Sequence, residues 1–506
     1  MGKVMRTISK RFWYLVFVVA GLLLSLTVLG VLSSDNFTAS QYWGALWVCS
    51  ILLVFVGIRY RRSILSGYRA LCRKKWLVFA CFALLVFVQL CVFTTITGRQ
   101  LFDAGMVYDG VFNDDKTLIN QYLSIWQNNL PMYTAENIIK HVFHLSDTII
   151  ALRIYTVISC LLYDIGFIFI AWSVFLLSGM EAAVLSGLIC FGILGLTNQV
   201  YQIYSTAFSW PFTCFGIFVY IYLKKAETCG RASKIIGSFC FGMTVTCGYM
   251  IRPSSVIYVI AIAMFEFPYL WNYVKNVKTS LFVVLPVIFG ICLTVLAYYA
   301  VESRQGIVID ETRNATMQQY LAYGITGNGD GDIEIRKRIE GTGSVEERKA
   351  LSVQIWLEEI KRKGPVGYTA FLAKKHILNT SDAGMKFTTP HIEEQYSSNK
   401  IKHFFQNIYY TDGKYGHLTV YAIQFIYLLV LVGVAYGVLE TLPEVHLLCL
   451  ALVGYWVFLL IFEAGRSVYS IQAFPVSIMM SAIGWHSLIK VSTTQVKCLD
   501  ASACIH

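Results

Sequence analysis

The run "FWYLVFVVAGLLLSLTVLGVL", residues 12–32, contains no charged side chain. A transmembrane helix needs about 20 consecutive, mostly apolar residues to cross about 30 Å of hydrocarbon. This run meets that requirement. It is too long for a signal-peptide core and lacks a small-residue cleavage site. Similar runs follow near 42–58, 76–96, 153–177, 182–198, 204–223, 235–251, 253–268, 280–300, 417–439, 444–462 and 467–489. In lipid only helices and closed barrels satisfy their own backbone, and these runs are too long for barrel strands. The expectation is an all-α polytopic membrane protein with about twelve transmembrane helices. The seventh and eighth runs are parted only by "MIRPSS", residues 250–255.

Composition agrees. The chain has 506 residues, of which 56% are hydrophobic and 14% charged, more apolar surface than a soluble core uses. The formal net charge of +11 does not point to nucleic acid, because the cations gather in short loops between apolar runs. Lys3, Arg6, Lys10 and Arg11 precede the first run, and Arg59, Arg61, Arg62, Arg69, Arg73, Lys74 and Lys75 follow the second. "KKAETCGRASK" at 224–234 and "KNVK" at 275–278 fall on the same side when the spans are counted. The positive-inside rule makes that side cytoplasmic, with both termini, in a multi-pass cell-membrane protein. Four regions result: two N-terminal spans with their basic loop (1–75), a transmembrane core with a first outer segment at 97–152 (76–300), a loop domain (301–416), and the C-terminal spans and tail (417–506). Neither outer segment contains any of the 14 cysteines, so no disulfide framework or Cys/His metal spacing is expected.

The loop domain reads as helical. Ser344 and Glu347 have the spacing of a capping box, and Gly364-Pro365 ends that helix and begins a second. On the second, Tyr368, Phe371, Leu372 and Lys375 share a face, whereas Lys374 points elsewhere. In the first outer segment, "AENIIKHVF" reads as an amphipathic helix suited to a membrane surface.

In a membrane protein the costly ionisable residues are the informative ones. Asp103 and Asp109, in "TGRQLFDAGMVYDG" (97–110), follow the third span with no cation between them. Arg252 lies in the turn after the seventh span, and Glu463 and Arg466 join the eleventh to the twelfth. Each alone suits an interfacial residue, snorkelling or locally paired. Together they place cations and carboxylates at one depth on one side. Guanidinium forks fit phosphate oxygens, and a carboxylate beside them can take a proton from a hydroxyl.

Further motifs lie in order along the chain: Asp103-Ala104, "YLSIWQNNLPM" (122–132), "YSTAFSWPF" (204–212), "RPSS" (252–255), "GYTAFLAKKHILNTSDAGMKF" (367–387) and "EAGRSVY" (463–469). In this series the chain resembles the GT-C glycosyltransferases, above all Gram-positive members that decorate cell-wall polysaccharides, with protein O-mannosyltransferases as more distant kin. The resemblance covers most of the chain from about residue 76. Gln127 stands where that pattern has Pro, and Thr206 where it commonly has Asp. The resemblance implies an inverting enzyme that moves a sugar from a polyprenyl-phosphate carrier to an extracytoplasmic glycan acceptor, within the lipid bilayer and without nucleic acid. Asp103 would be the base, supported by Asp109. Arg252, Lys375 and Arg466 would hold the donor phosphate, and Tyr201, Tyr204, Trp210 and Glu463 would contact substrate.

No cofactor is expected. Asn113, Asp114 and Asp115 offer oxygen ligands to a divalent cation, against the plainer reading of a solvated turn. "NGDGDIE" at 328–334 is not a calcium loop, because Ile333 stands at its glycine position. Two alternatives remain: a polymerase or ligase of lipid-linked glycan, which would use the same kind of site, and a transporter or flippase. The latter would employ Asp164, deep in a span, but would also want paired midplane charges and internal repeats, neither of which is visible.

Overall fold

A computed structural model describes residues 3–503 except 202, 226–229, 270–276, 328, 330, 386–391, 394–395 and 411. The chain is an all-α polytopic membrane protein. Among the described residues nine helices are long and apolar enough to cross a membrane, and a tenth span is the shorter Trp43–Arg59 (α2), from which Arg61–Arg73 (α3) turns away by 76°. The expectation was about twelve. The two remaining runs are the shorter apolar helices Met180–Gly195 and Pro253–Tyr269. At 1.5 Å per residue the first is about 24 Å long, short of a full crossing.

Contacts nonetheless carry both short runs from one end of the bundle to the other. Glu181 lies at one end, beside Arg69 of α3 at 3.6 Å. The opposite end of that run receives Gln89 Nε2 on the Gly195 carbonyl at 2.9 Å. An irregular buried stretch completes the passage, held by Cys160 Sγ on the Val200 carbonyl and Asn198 Nδ2 on the Tyr409 carbonyl. Non-helical backbone at membrane depth is tolerable only when protein satisfies it in this way. The second short run leads from Arg252 to Glu266, which pairs with Lys224 at 2.6 Å, close to where Lys225 meets Glu444 at 3.0 Å. One end of the bundle therefore collects the basic loops and their few acids. The other collects both long polar segments. We call them the basic end and the loop end.

At the loop end, Lys75–Ile96 (α4) gives way to a two-residue strand, Arg99–Gln100 (β1), and then to Phe102–Phe112 (α5), Thr117–Ile125 (α6) and Leu130–Val142 (α7). These pack on the outer part of Ile149–Ser178 (α8) around Val107, Leu123, Tyr133 and Tyr155. Ile138, Val142 and Phe143 are exposed, consistent with α7 lying along a membrane surface. Ser205–Lys225 (α9), Arg231–Ile251 (α10) and Val277–Glu302 (α11) follow.

The loop domain comprises Met317–Ile325 (α12), Ile333–Glu340 (α13) and Val345–Thr380 (α14). The Ser344/Glu347 capping box forms, and Gly364 (φ 63°, ψ 175°) breaks α14 into two arms, the second starting at Pro365. The second arm runs down into the bundle. Thr27 Oγ1, on the first helix Lys3–Leu32 (α1), lies 2.9 Å from His376 Nε2 and 3.0 Å from Thr380 Oγ1. Burial pushes the His376 imidazole down to about 4. The first span is thus stitched to the loop domain. Ile392–Glu393 (β2) pairs antiparallel with β1, Arg99 opposite Glu393 and Gln100 opposite Ile392. The last spans are Gly416–Val438 (α15), Pro443–Phe462 (α16) and Phe474–Ala503 (α17).

Candidate functional site

Asp103 sits in the first turn of α5, but no side chain caps that helix, whose cap residue is Leu101. The carboxylate instead faces two phenols. Tyr122 Oη donates to Oδ1 at 2.7 Å and Tyr204 Oη to Oδ2 at 2.8 Å. Asn129 Nδ2 in turn donates to Tyr122 Oη at 2.6 Å. The backbone before Asp103 is held tightly. Phe102 has φ +56°, a conformation costing roughly 1–2 kcal/mol for an L-residue and typical of functional sites. Gly105 is required there, because a Cβ would lie 2.3 Å from the Gln100 carbonyl oxygen.

Arg252 ends α10, and its Nη1 donates to Ser205 Oγ at 3.3 Å, one residue from Tyr204. Its guanidinium carbon is 5.8 Å from the centre of the Tyr469 ring, and its Nε has no hydrogen-bond partner among the described residues. Glu463 ends α16. Burial pushes its carboxyl up, and the charges of Arg252 and Lys375 oppose that shift. Burial also raises Tyr320, on α12, with added contributions from Glu463, Tyr469 and Asp103. Tyr469 itself is within electrostatic reach of Glu463, Arg466, Arg252 and Asp103. Residues from five separate stretches of chain therefore converge at the loop end. Arg466 is exposed there, and its backbone N–H donates to Asn379 Oδ1 at 3.0 Å.

Several expected roles do not fit this arrangement. Six residues along a helix turn a side chain about 120° away, so Asp109 faces Arg99, with which it forms an ion pair, and not Asp103. Lys375, on the aromatic face of its arm, is fully buried, while Lys374 is exposed. Its Nζ donates to the carbonyls of Gly324 at 2.7 Å and Leu460 at 2.8 Å. These carbonyls close the C-terminal ends of α12 and α16, where helices leave acceptors unsatisfied and the dipole favours a cation. Burial lowers Lys375 to about 8, against the pull of Glu463. Lys375 thus brackets the loop domain to the bundle and is not placed as a phosphate contact.

Tyr201 and Trp210 are core residues, 1% and 0% exposed. Tyr201 stacks on Phe93, and Trp210 packs against Tyr163, so neither ring is open to a sugar. Thr206, at the position where the resembling family often has Asp, is buried with Tyr163 Oη at 3.4 Å. Asn113 Oδ1 accepts from the Asp115 N–H, and Asp115 Oδ1 from Thr117 N and Oγ1, which spends these oxygens on a turn. Asp164 is buried in α8, away from this cluster's hydrogen bonds. Tyr122, Asn129, Tyr320 and Tyr469 were not singled out from the sequence. Tyr122, Asn129 and Tyr469 lie inside quoted motifs, and a phenol beside a carboxylate was the available signal; Tyr320 had none.

Residues 1–489 match the family described as conserved hypothetical integral membrane protein. No curated protein and no solved structure matches the chain.

Proposed function

The chain belongs to this family of integral membrane proteins, and from that premise we propose that it is a membrane glycosyltransferase using a polyprenyl-phosphate-linked sugar. The observation supporting this is that Asp103, Arg252, Glu463 and Arg466 all lie within electrostatic reach of Tyr469, with the Arg252 guanidinium 5.8 Å from that ring. In this reading Asp103 accepts the proton of an acceptor hydroxyl while that oxygen bonds to the anomeric carbon. The bond from that carbon to the phosphate oxygen breaks, and polyprenyl phosphate leaves with the electron pair. Direct displacement inverts the anomeric centre and needs no glycosyl-enzyme intermediate. The phenols of Tyr122 and Tyr204 aim the carboxylate. Arg252 and Arg466 neutralise the departing phosphate, where preorganised charge lowers the barrier most. Glu463 holds the Arg252 side electrostatically. The acceptor is a surface or cell-wall glycan, and the loop end faces outside the cell, in keeping with the cations at the other end.

The test is direct. Membranes containing the protein should release polyprenyl phosphate from a polyprenyl-phosphate sugar when acceptor glycan is added, and membranes carrying Asp103→Asn should not. Asp164, a carboxylate buried within a span, favours a transporter as the second reading. Uptake or flipping of the intact lipid-linked sugar that is lost in Asp164→Asn, with no release of polyprenyl phosphate, would decide for it.

A further inference from the structure

Helix α3 lies off the bundle axis, between the basic-end termini of two spans. α2 ends at Arg59, the chain turns by 76°, and α4 begins at Lys75. Its depth is therefore that of the lipid headgroups. At 100° per residue, Arg62, Ser66, Arg69 and Arg73 form one stripe. Leu65, Tyr68 and Cys72 form the adjoining apolar face, and Ile64 and Leu71 lie opposite the stripe. Cys72 is buried, with Tyr68 and Leu71 packed around it near Met180 and Phe82. Tyr68 Oη also donates to the Glu181 backbone carbonyl. Ile64 is 53% exposed on the side of the helix away from the stripe.

The charges are one-sided. Residues 59–75 carry Arg59, Arg61, Arg62, Arg69, Arg73, Lys74 and Lys75 and no acid. The carboxylate that reaches the helix, Glu181, meets Arg69 at 3.6 Å. Arg62 and Arg73 are exposed on the same stripe.

We propose that α3 is a docking surface for anionic phospholipid headgroups of the leaflet at the basic end. The forks of Arg62 and Arg73 take phosphate oxygens, and the half-buried Leu65, about 60° round the helix from Arg62, meets the acyl boundary. The charge requires an anion, and the place of α3 between two span ends requires that the anion belong to a lipid. This inference does not depend on the glycosyltransferase reading.

The test uses the full-length protein in mild detergent, offered equal amounts of phosphatidylglycerol and phosphatidylcholine, with retained lipid counted by native mass spectrometry. The wild type should retain phosphatidylglycerol preferentially. An arginine near an anionic surface is worth roughly fivefold in partitioning. Arg62→Gln with Arg73→Gln should therefore cut the preference by about 10- to 25-fold, whereas Lys at both positions should keep most of it. If the double Gln variant does not fold, each single variant should still show about a fivefold loss. Excess inorganic phosphate should leave the retained lipid in place. Equal retention of the two lipids by the wild type, an unchanged preference in the Gln variants, or displacement by phosphate each overturns the proposal.

Discussion

Tyr204 and Asp103, 101 positions apart in the chain, meet at 2.8 Å between phenol and carboxylate. The contact joins the segment leaving α4 to the segment entering α9, and Tyr122 mirrors it on the other oxygen. A carboxylate held by two donors has a fixed direction and still has lone pairs for an incoming proton.

If Asp103 is the base, Asp103→Asn should lower turnover by about 10²–10⁴-fold while expression and donor binding hold. Tyr204→Phe and Tyr122→Phe each remove one charge-assisted bond, worth about 1.5–3 kcal/mol, and should slow turnover less than the Asn variant does. Steady-state release of polyprenyl phosphate measures all three. A fully active Asn variant would remove Asp103 from the chemistry.

Tyr469 has the Arg252 guanidinium 5.8 Å from its ring and lies within electrostatic reach of Arg466. Loss of a single cation from a shared phosphate should reduce kcat/KM by about 10- to 100-fold. The double variant should fall short of the product of the two single effects. Lys at 252 keeps the charge without the fork and should restore part of the activity. Strict additivity would place the two arginines on different groups.

Lys375 should behave differently. Lys375→Met leaves two buried carbonyls without their donor, each costing about 1–3 kcal/mol. The variant should melt earlier and expose the loop domain to protease. Gly324→Ala, whose Cβ would stand 2.9 Å from Nζ and 3.0 Å from the Glu463 carbonyl oxygen, should reproduce that phenotype. Normal stability of Lys375→Met with loss of donor binding alone would return the lysine to the phosphate site.

The same lysine sets a pH dependence. It falls to about 8 in the folded protein from an ordinary value of 10.5. Between these values the unfolded chain holds a proton that the folded one has released, so stability gains from this group as pH rises through that window. Below about pH 8 both states hold the proton and the contribution is flat. Thermal unfolding of wild type and Lys375→Met across pH 7–11 isolates the term, because the wild-type curve should rise relative to the variant only in the window.

Orientation can be checked with single cysteines in a cysteine-free background. Val366 is 84% exposed in the loop domain, and Ser66 lies on α3. An impermeant thiol reagent applied to intact cells should label Val366→Cys and miss Ser66→Cys. The reverse pattern would turn the proposed site to the cytoplasm.

Hydropathy made the helical class legible, because the cost of unsatisfied backbone in lipid leaves few alternatives. The capping box at Ser344 and the break at Gly364 were legible for the same local reason: each is written within four residues. Span length was less so. The run at 182–198 is apolar enough, but its helix ends at Gly195 and the chain goes on as irregular backbone, satisfied by partners such as Tyr409 that are distant in sequence. The site divided along similar lines. Asp103, Arg252, Glu463 and Arg466 were visible as costly charges at span ends. Lys375 was visible as a lysine on an aromatic helix face and was read as a phosphate contact, because its partners, two backbone carbonyls on other helices, have no side-chain signature. Tyr201 and Trp210 show the converse, since an aromatic near a boundary looks the same in sequence whether it meets substrate or core.

The short helix Met180–Gly195 also bears on the site. A rod of about 24 Å in a film of about 30 Å leaves about 6 Å to be made up, and the irregular stretch after Gly195 makes it up inside the protein. The stretch that makes up the difference leads to Tyr204 and Asp103. If Asp103 is the base of a glycosyl transfer, its orientation then depends on a stretch of backbone held by Cys160 and by the contact of Asn198 with Tyr409.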